Sequence, residues 1–126
     1  MSSGDAERQF DLEERTARFG EAVVTFVKTI PFGPVNSPLI SQLVRSGTSV
    51  GANYCEADDA VSKKEFFQKI GTCKKEARET KHWLRMLAAA EPNRKVDIRA
   101  LWQEAKELHL IFTAILNRRG KGKGEV

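Results

Sequence analysis

Apolar residues recur at alternating steps of four and three positions in four successive segments of this chain, and this periodicity constrains the fold most strongly. Such steps place side chains on one face of an α-helix, because about 3.6 residues complete each turn. The four seams begin at Leu12, Leu39, Phe66 and Ile98. No segment has the pattern of a β-strand. The chain is therefore predicted to be all-α.

Proline residues and one capping motif divide the four seams into separate helices. Pro31 and Pro92 follow the first and third seams, and proline ends a helix because it lacks an amide donor. Ser62 and Glu65 form a capping box before the third seam. The predicted helices span about residues 11–30, 38–59, 63–90 and 96–117. Short loops between them predict an antiparallel, up-down-up-down four-helix bundle. The bundle takes in residues 11–118, between a flexible N-terminus (1–10) and a flexible basic tail (119–126).

The second helix carries small or apolar residues over about half of its circumference, which is wider than a bundle seam needs. Gly47 and Gly51 lie one turn apart beside its seam, although glycine costs roughly 1 kcal/mol relative to alanine inside a helix. Their presence indicates the close approach of another backbone. The fourth helix has a similar second row. These rows predict an oligomer interface formed by Gly47, Gly51, Tyr54, Trp102, His109 and Leu116.

Several polar residues lie beside the seams of the second and third helices. Buried polar groups need hydrogen-bond partners, and the acidic flank of the third helix offers partners to Arg45. We hypothesise a structural polar network that comprises Arg45, Asn53, Glu56, Glu76 and Glu79.

The sequence predicts no catalytic residue, no metal site and no cofactor. Glu79 and His82 match the Glu-x-x-His ligand motif of di-iron bundles, but such sites use the motif twice, with two further glutamates. Here it occurs once, off the seam. The two cysteines lack metal-type spacing and are expected to be free, largely buried thiols. No glycine-rich phosphate loop or nucleophile elbow occurs. The protein is therefore expected to be non-enzymatic.

Basic residues form a row on the third helix and follow the fourth. The net charge is +4, from 21 basic and 17 acidic residues, so the distribution is more informative than the sum. We call Lys74, Arg78, Lys81 and Arg85 the basic stripe, and Arg118, Arg119, Lys121 and Lys123 the tail residues. Both sets are predicted to bind nucleic-acid phosphates, with an affinity that falls steeply with salt. The alternative is a solvated helix face that only aids solubility.

No apolar run approaches the roughly 20 residues that a membrane-spanning helix needs. The first ten residues also lack the basic and apolar regions of a signal peptide. A cytoplasmic protein without a membrane partner is expected.

Three motifs carry a resemblance to a known family. The second helix contains Gln42-Leu43-x-Arg45-Ser46-x-x-Ser49-x-x-Ala52-Asn53-x-x-Glu56-Ala57. The third contains Phe66-x-x-Lys69-Ile70 and Lys75-Glu76-Ala77-x-Glu79-Thr80-x-x-Trp83-Leu84. Over about residues 15–117 the chain resembles the bacterial four-helix bundle proteins of the 23S rRNA intervening-sequence type.

This resemblance implies a small cytoplasmic bundle that assembles into a homopentameric ring and has no assigned activity. It also implies possible partners. A related branch, the accessory variability proteins of diversity-generating retroelements, binds nucleic acid and a reverse transcriptase. Our leading interpretation is a non-enzymatic, homo-oligomeric accessory protein for RNA or DNA. The alternative is a protein-interaction scaffold or adaptor, for example for a reverse transcriptase, with no direct nucleic-acid contact.

Overall fold

The computed structural model describes the backbone of residues 2–124 and the side chains of residues 12–119. Within this part of the chain all regular structure is helical. The helices are α1 (Ser2–Val27), α2 (Asn36–Asp58), α3 (Lys63–Ala90) and α4 (Lys95–Gly124), with a 3-10 turn (Pro92–Arg94) before α4. None of the described helices is long and apolar enough to cross a membrane. The predicted all-α fold with four helices is confirmed.

The helix ends differ from the prediction except in α3. Helix α1 begins at Ser2, and α4 continues to Gly124, so helical backbone covers most of both segments that were predicted to be flexible. Helix bounds alone do not test flexibility, which stays a prediction. Residues 1, 125 and 126 of these segments lie outside the described residues.

The start of α2 is held by a buried side chain. Helix α2 begins at Asn36, and its N-terminus has no side-chain cap. The Asn36 amide donates to the Pro31 carbonyl oxygen at 2.8 Å and to the Glu91 carboxylate at 2.9 Å. These bonds tie the α1–α2 loop to the end of α3. At the start of α3, Ser62 accepts a hydrogen bond from the Glu65 amide at 3.1 Å, which confirms the predicted cap.

Contacts between neighbouring helices establish the antiparallel order. Arg45 in α2 reaches Glu76 in α3, whereas Glu56, farther along α2, reaches the earlier residue Lys69. The same reversed order relates α1 to α2, α3 to α4, and α1 to α4. Helices α1 and α3 lie diagonally opposite each other. The bundle is therefore up-down-up-down, as predicted.

The predicted seams form the core. Side chains from all four helices are completely buried, including Val23, Leu43, Val50, Ile70, Leu84, Leu108 and Phe112. Two hydroxyl groups also lie there. Thr80 donates to the Glu76 carbonyl oxygen at 2.7 Å and lies 3.0 Å from the Ser46 hydroxyl, so both hydroxyl groups have partners.

The small face of α2 is covered by α1 of the same chain. A Cβ atom on Gly51 would lie 3.3 Å from the backbone carbon and oxygen of Thr16, and one on Gly47 would lie 3.0 Å from a methyl group of Val23. Tyr54 is buried, with its ring centroid 6.4 Å from that of Phe112. The close backbone approach was predicted, and within this chain it is made by α1. Contact of these residues with another subunit stays a prediction.

Candidate nucleic-acid interface

The basic stripe lies along the side of α3 that faces α4. Its members are spaced by four, three and four residues, which keeps them on one side of the helix. Arg78 and Arg85 are exposed, whereas Lys74 and Lys81 are half-buried. The Lys81 ammonium group lies 5.5 Å from the centroid of the Trp102 ring in α4. The stripe therefore follows the boundary between α3 and α4.

An open groove of about 450 Å³ lies beside the stripe, lined mainly by α3 residues that include Glu79 and His82. Lys74 and Arg78 line the groove from α3, and His109 lines it from α4. Burial, together with the charges of Lys81, Lys74 and Arg78, lowers the pKa of His109 below its ordinary value. The imidazole is therefore neutral at pH 7, and lysine and arginine supply the positive charge of the groove.

Two acidic residues of α3 share one arginine of α2. Arg45 pairs with Glu76 at 3.2 Å and also with Glu79. The hydrogen bond that Arg45 donates to Glu79 is the main reason that the pKa of Arg45 is raised. Burial is the largest single influence and raises the pKa of Glu79, but the hydrogen bond and charge of Arg45, together with smaller contributions from Glu76 and Lys75, lower it overall. These two carboxylates are therefore ion-paired with Arg45 and not with the stripe.

Acidic residues of α4 are also paired with arginines. Arg15 of α1 pairs with Glu104 at 2.7 Å and with Glu107 at 3.1 Å. Asp97 pairs with Arg94 at 3.1 Å. Among the side chains of residues 12–119, by contrast, no member of the basic stripe takes part in an ion pair. Positive charge without an ion-pair partner thus lies along the α3–α4 boundary.

The structure joins three of the five residues of the hypothesised polar network. Arg45, Glu76 and Glu79 form one cluster, as described above. Asn53 instead donates to the Ser49 carbonyl oxygen of its own helix at 2.8 Å. Glu56 accepts from Lys69. The network is therefore a three-residue cluster between α2 and α3, with two separate contacts nearby.

We expect Arg45→Ala to lower the free energy of unfolding by about 1–2 kcal/mol, because it leaves the largely buried Glu76 without its charged partner. Chemical denaturation measures this loss. Arg18→Ala is the matched control, because the Arg18–Glu14 pair is well exposed and such pairs contribute about 0.5 kcal/mol or less. Equal losses in the two variants would show that the cluster has no special structural role.

The α4 residues assigned to the oligomer interface lie near the stripe. Trp102, His109 and Leu116 are all half-buried, and for them contact with another subunit stays a prediction. Trp102 has a second cation nearby, the Lys106 ammonium group at 5.7 Å from its ring centroid. Sequence reasoning missed Lys106, and it missed His109 as a groove residue. Trp102 and His109 are seven residues apart and therefore lie on one face of α4. In an antiparallel bundle that face can lie beside the stripe, and this spacing is the sequence signal for it.

The tail residues extend the same boundary toward the start of α3. Arg118 and Arg119 are exposed on α4. The Arg119 guanidinium group lies 5.6 Å from the centroid of the Phe67 ring in α3. The side chains of Lys121 and Lys123 lie outside the described residues.

The residues considered for metal or thiol chemistry do not converge. Glu79 is engaged by Arg45, and His82 is exposed. Within the described residues, no three His, Cys, Asp or Glu side chains are grouped so that they could hold a metal ion. Cys73 is buried, and burial raises the pKa of its thiol to about 12. Cys55 is exposed, which corrects the expectation that both thiols are largely buried.

Comparison with known proteins identifies a family and a similar solved structure. A family model described as 23S rRNA-intervening sequence protein matches residues 8–114. The crystal structure of a protein with unknown function from the S23 ribosomal protein family of Bacteroides thetaiotaomicron is similar, with 29% sequence identity and a TM-score of 0.72. This similarity covers 82% of this chain and 96% of that one. No curated protein matches this chain.

Proposed function

Because the chain belongs to the 23S rRNA-intervening sequence protein family, as its motifs predicted, we propose that it is a non-enzymatic accessory protein that binds RNA or DNA. The basic stripe binds the phosphates, and the tail residues extend the site. The protein acts in the bacterial cytoplasm. A bacterial source agrees with that of the similar solved structure.

The separation of charge within the bundle carries this proposal. Arginines of α1 and α2 pair with acidic residues of α3 and α4. The stripe keeps its charge unpaired in the described part of the chain. Phosphate groups are attracted to uncompensated lysine and arginine, and binding is driven largely by the release of counterions. A merely solubilising surface needs no such separation.

The protein acts as a homo-oligomer of five copies, as the resemblance implies. A groove of about 870 Å³ between α1 and α2, with Glu13, Glu14 and Glu21 on its rim and small residues along its floor, supports contact with another subunit. A ring repeats the basic stripe once in every subunit. Weak contacts to one nucleic acid then add up through high effective concentration.

The same α1–α2 groove favours a second candidate function. A protein-interaction scaffold or adaptor, for example for a reverse transcriptase, would use the groove for its partner and the charge only for solubility. The two functions differ in what the isolated protein binds. The scaffold binds no nucleic acid without its partner, whereas the accessory protein does.

A mass measurement in solution tests the proposal most simply. Light scattering of the purified protein, with and without RNA at low salt, gives the number of subunits and the mass of the complex. The proposal expects a pentamer whose mass increases when RNA is added. A mass that RNA leaves unchanged at low salt would contradict the nucleic-acid function. A monomer would contradict the assembly.

We expect nucleic acid to bind more tightly at pH 5.5 than at pH 7.5, by about 3- to 10-fold. The pKa of His109 is lowered in the free protein, and a bound phosphate raises it by adding negative charge. Binding then takes up a proton. Affinity therefore rises as the pH falls through the interval between the pKa of His109 in the complex and its lower pKa in the free protein. Fluorescence anisotropy at constant ionic strength measures this effect.

His109→Gln should remove the pH dependence, because glutamine does not titrate. His82→Gln measures the contribution of the only other histidine in the chain. If His109→Gln kept the full pH dependence, the phosphate would not bind beside His109.

A further inference from the structure

Two aromatic side chains mark the ends of the positively charged groove. Phe67 lies on the same side of α3 as the stripe, seven residues before Lys74, and Trp102 approaches from α4 beside Lys81. Both rings are half-buried, so each has an accessible part. The groove with Lys74, Arg78 and His109 lies between them. Basic groups therefore lie between two aromatic rings along the α3–α4 boundary.

Each ring is accompanied by cations at similar distances. Lys81 and Lys106 place their ammonium groups 5.5 Å and 5.7 Å from the centroid of Trp102. Arg119 places its guanidinium group 5.6 Å from the centroid of Phe67. A nucleotide whose base contacts either ring therefore has a cation within reach of its phosphate. The ring and the cation thus match the base and the phosphate of one nucleotide.

The spacing of the two rings suits several nucleotides of an extended strand. Phe67 and Lys81 are separated along α3 by about 21 Å, at about 1.5 Å per residue. Proteins that bind single strands place successive bases on aromatic side chains and follow the backbone with a positive groove. A duplex keeps its bases stacked inside and presents only its backbone and groove edges to such a surface.

We propose that this site binds single-stranded rather than double-stranded nucleic acid, with bases on Trp102 and Phe67 and phosphates on the basic stripe. This inference rests on the proposed function and specifies the class of nucleic acid. The stripe alone accepts any phosphate backbone. The aromatic residues contribute only when bases are free to leave the stack, and they therefore discriminate between the two forms.

The test compares a fluorescent 12-nucleotide single strand with the duplex of the same sequence, by anisotropy at low salt. The wild-type protein should prefer the single strand. Trp102→Leu keeps an apolar side chain on α4 and should weaken single-strand binding by about 5- to 100-fold while leaving duplex binding unchanged. Phe67→Leu should act in the same direction. Trp102→Phe, which keeps a ring, should retain most of the affinity.

Thermal melting of each variant confirms that the bundle is folded, and Phe67→Leu provides the result if a Trp102 variant does not fold. Equal affinity of the wild-type protein for single strand and duplex would overturn this inference and leave the proposed function standing. An equal loss for both forms in the two leucine variants, or no loss in either, would also overturn it. Absence of binding to both forms at low salt would overturn the proposed function as well.

Discussion

Replacing the basic stripe with glutamine at all four positions is expected to weaken nucleic-acid binding on the order of 10³-fold at 50 mM salt. Each contact with a single strand contributes about 0.7 to the dependence of log affinity on log salt, so four contacts contribute about 2.8. At 1 M salt the counterion effect vanishes. A slope of about 2.8, extrapolated from 1 M to 50 mM salt, gives this loss of affinity. Fluorescence anisotropy with a labelled oligonucleotide measures it.

A matched pair of double variants controls for the change in net charge. Lys74→Gln with Arg78→Gln removes one lysine and one arginine from the stripe and should cost about 60-fold in affinity under the same conditions. Arg18→Gln with Lys28→Gln removes the same two residue types from exposed positions on and just after α1, away from the groove. This second variant should bind almost normally. Equal losses would mean that total charge, and not the stripe, determines binding.

The second large effect concerns stability. Gly51→Leu is expected to lower the free energy of unfolding by about 3 kcal/mol, which is a large fraction of the stability of a typical domain. A Cβ atom at this position would already lie 3.3 Å from backbone atoms of Thr16 in α1. Backbone atoms cannot rotate away as a side chain can, so a leucine must push α1 away from α2. Chemical denaturation measures the loss.

Gly71→Leu provides the control within the same fold. A Cβ atom on Gly71 in α3 would meet nothing within 4 Å. The same substitution there should stabilise the helix by up to about 1 kcal/mol, since leucine is a better helix former than glycine. If both variants lost the same stability, close packing of α1 on α2 would not explain why position 51 is glycine.

Much of the fold could be predicted from the sequence because helix seams and caps are local signals. The α3 bounds and the Ser62 cap agree with the structure because both depend on residues within one or two turns. The small face of α2 was recognised as a site of close approach. The helix that approaches it was not identified from the sequence. Small residues indicate that another backbone comes near, but they do not indicate whether it belongs to the same chain.

The candidate site was predictable only in part, because it depends on how two helices align. The basic stripe follows from spacing within α3. Trp102, Lys106 and His109 lie beside the stripe because of the antiparallel register of α4 against α3. The spacing of residues within one helix does not predict that register. Likewise, Arg45 finds its predicted acidic partners across α2 and α3, whereas Asn53 bonds to a carbonyl oxygen of its own helix, four residues earlier.

The salt dependence of binding tests the central claim most directly. The measurement is the slope of log affinity against log salt, from 50 to 200 mM, for the wild-type protein and for the variant with glutamine at all four stripe positions. The account predicts a steep wild-type slope, with an affinity loss of at least about 50-fold over this range. It also predicts that the variant's slope is shallower by about 2.8. A flat wild-type slope, or the same slope in both proteins, would contradict the claim that the stripe binds phosphates.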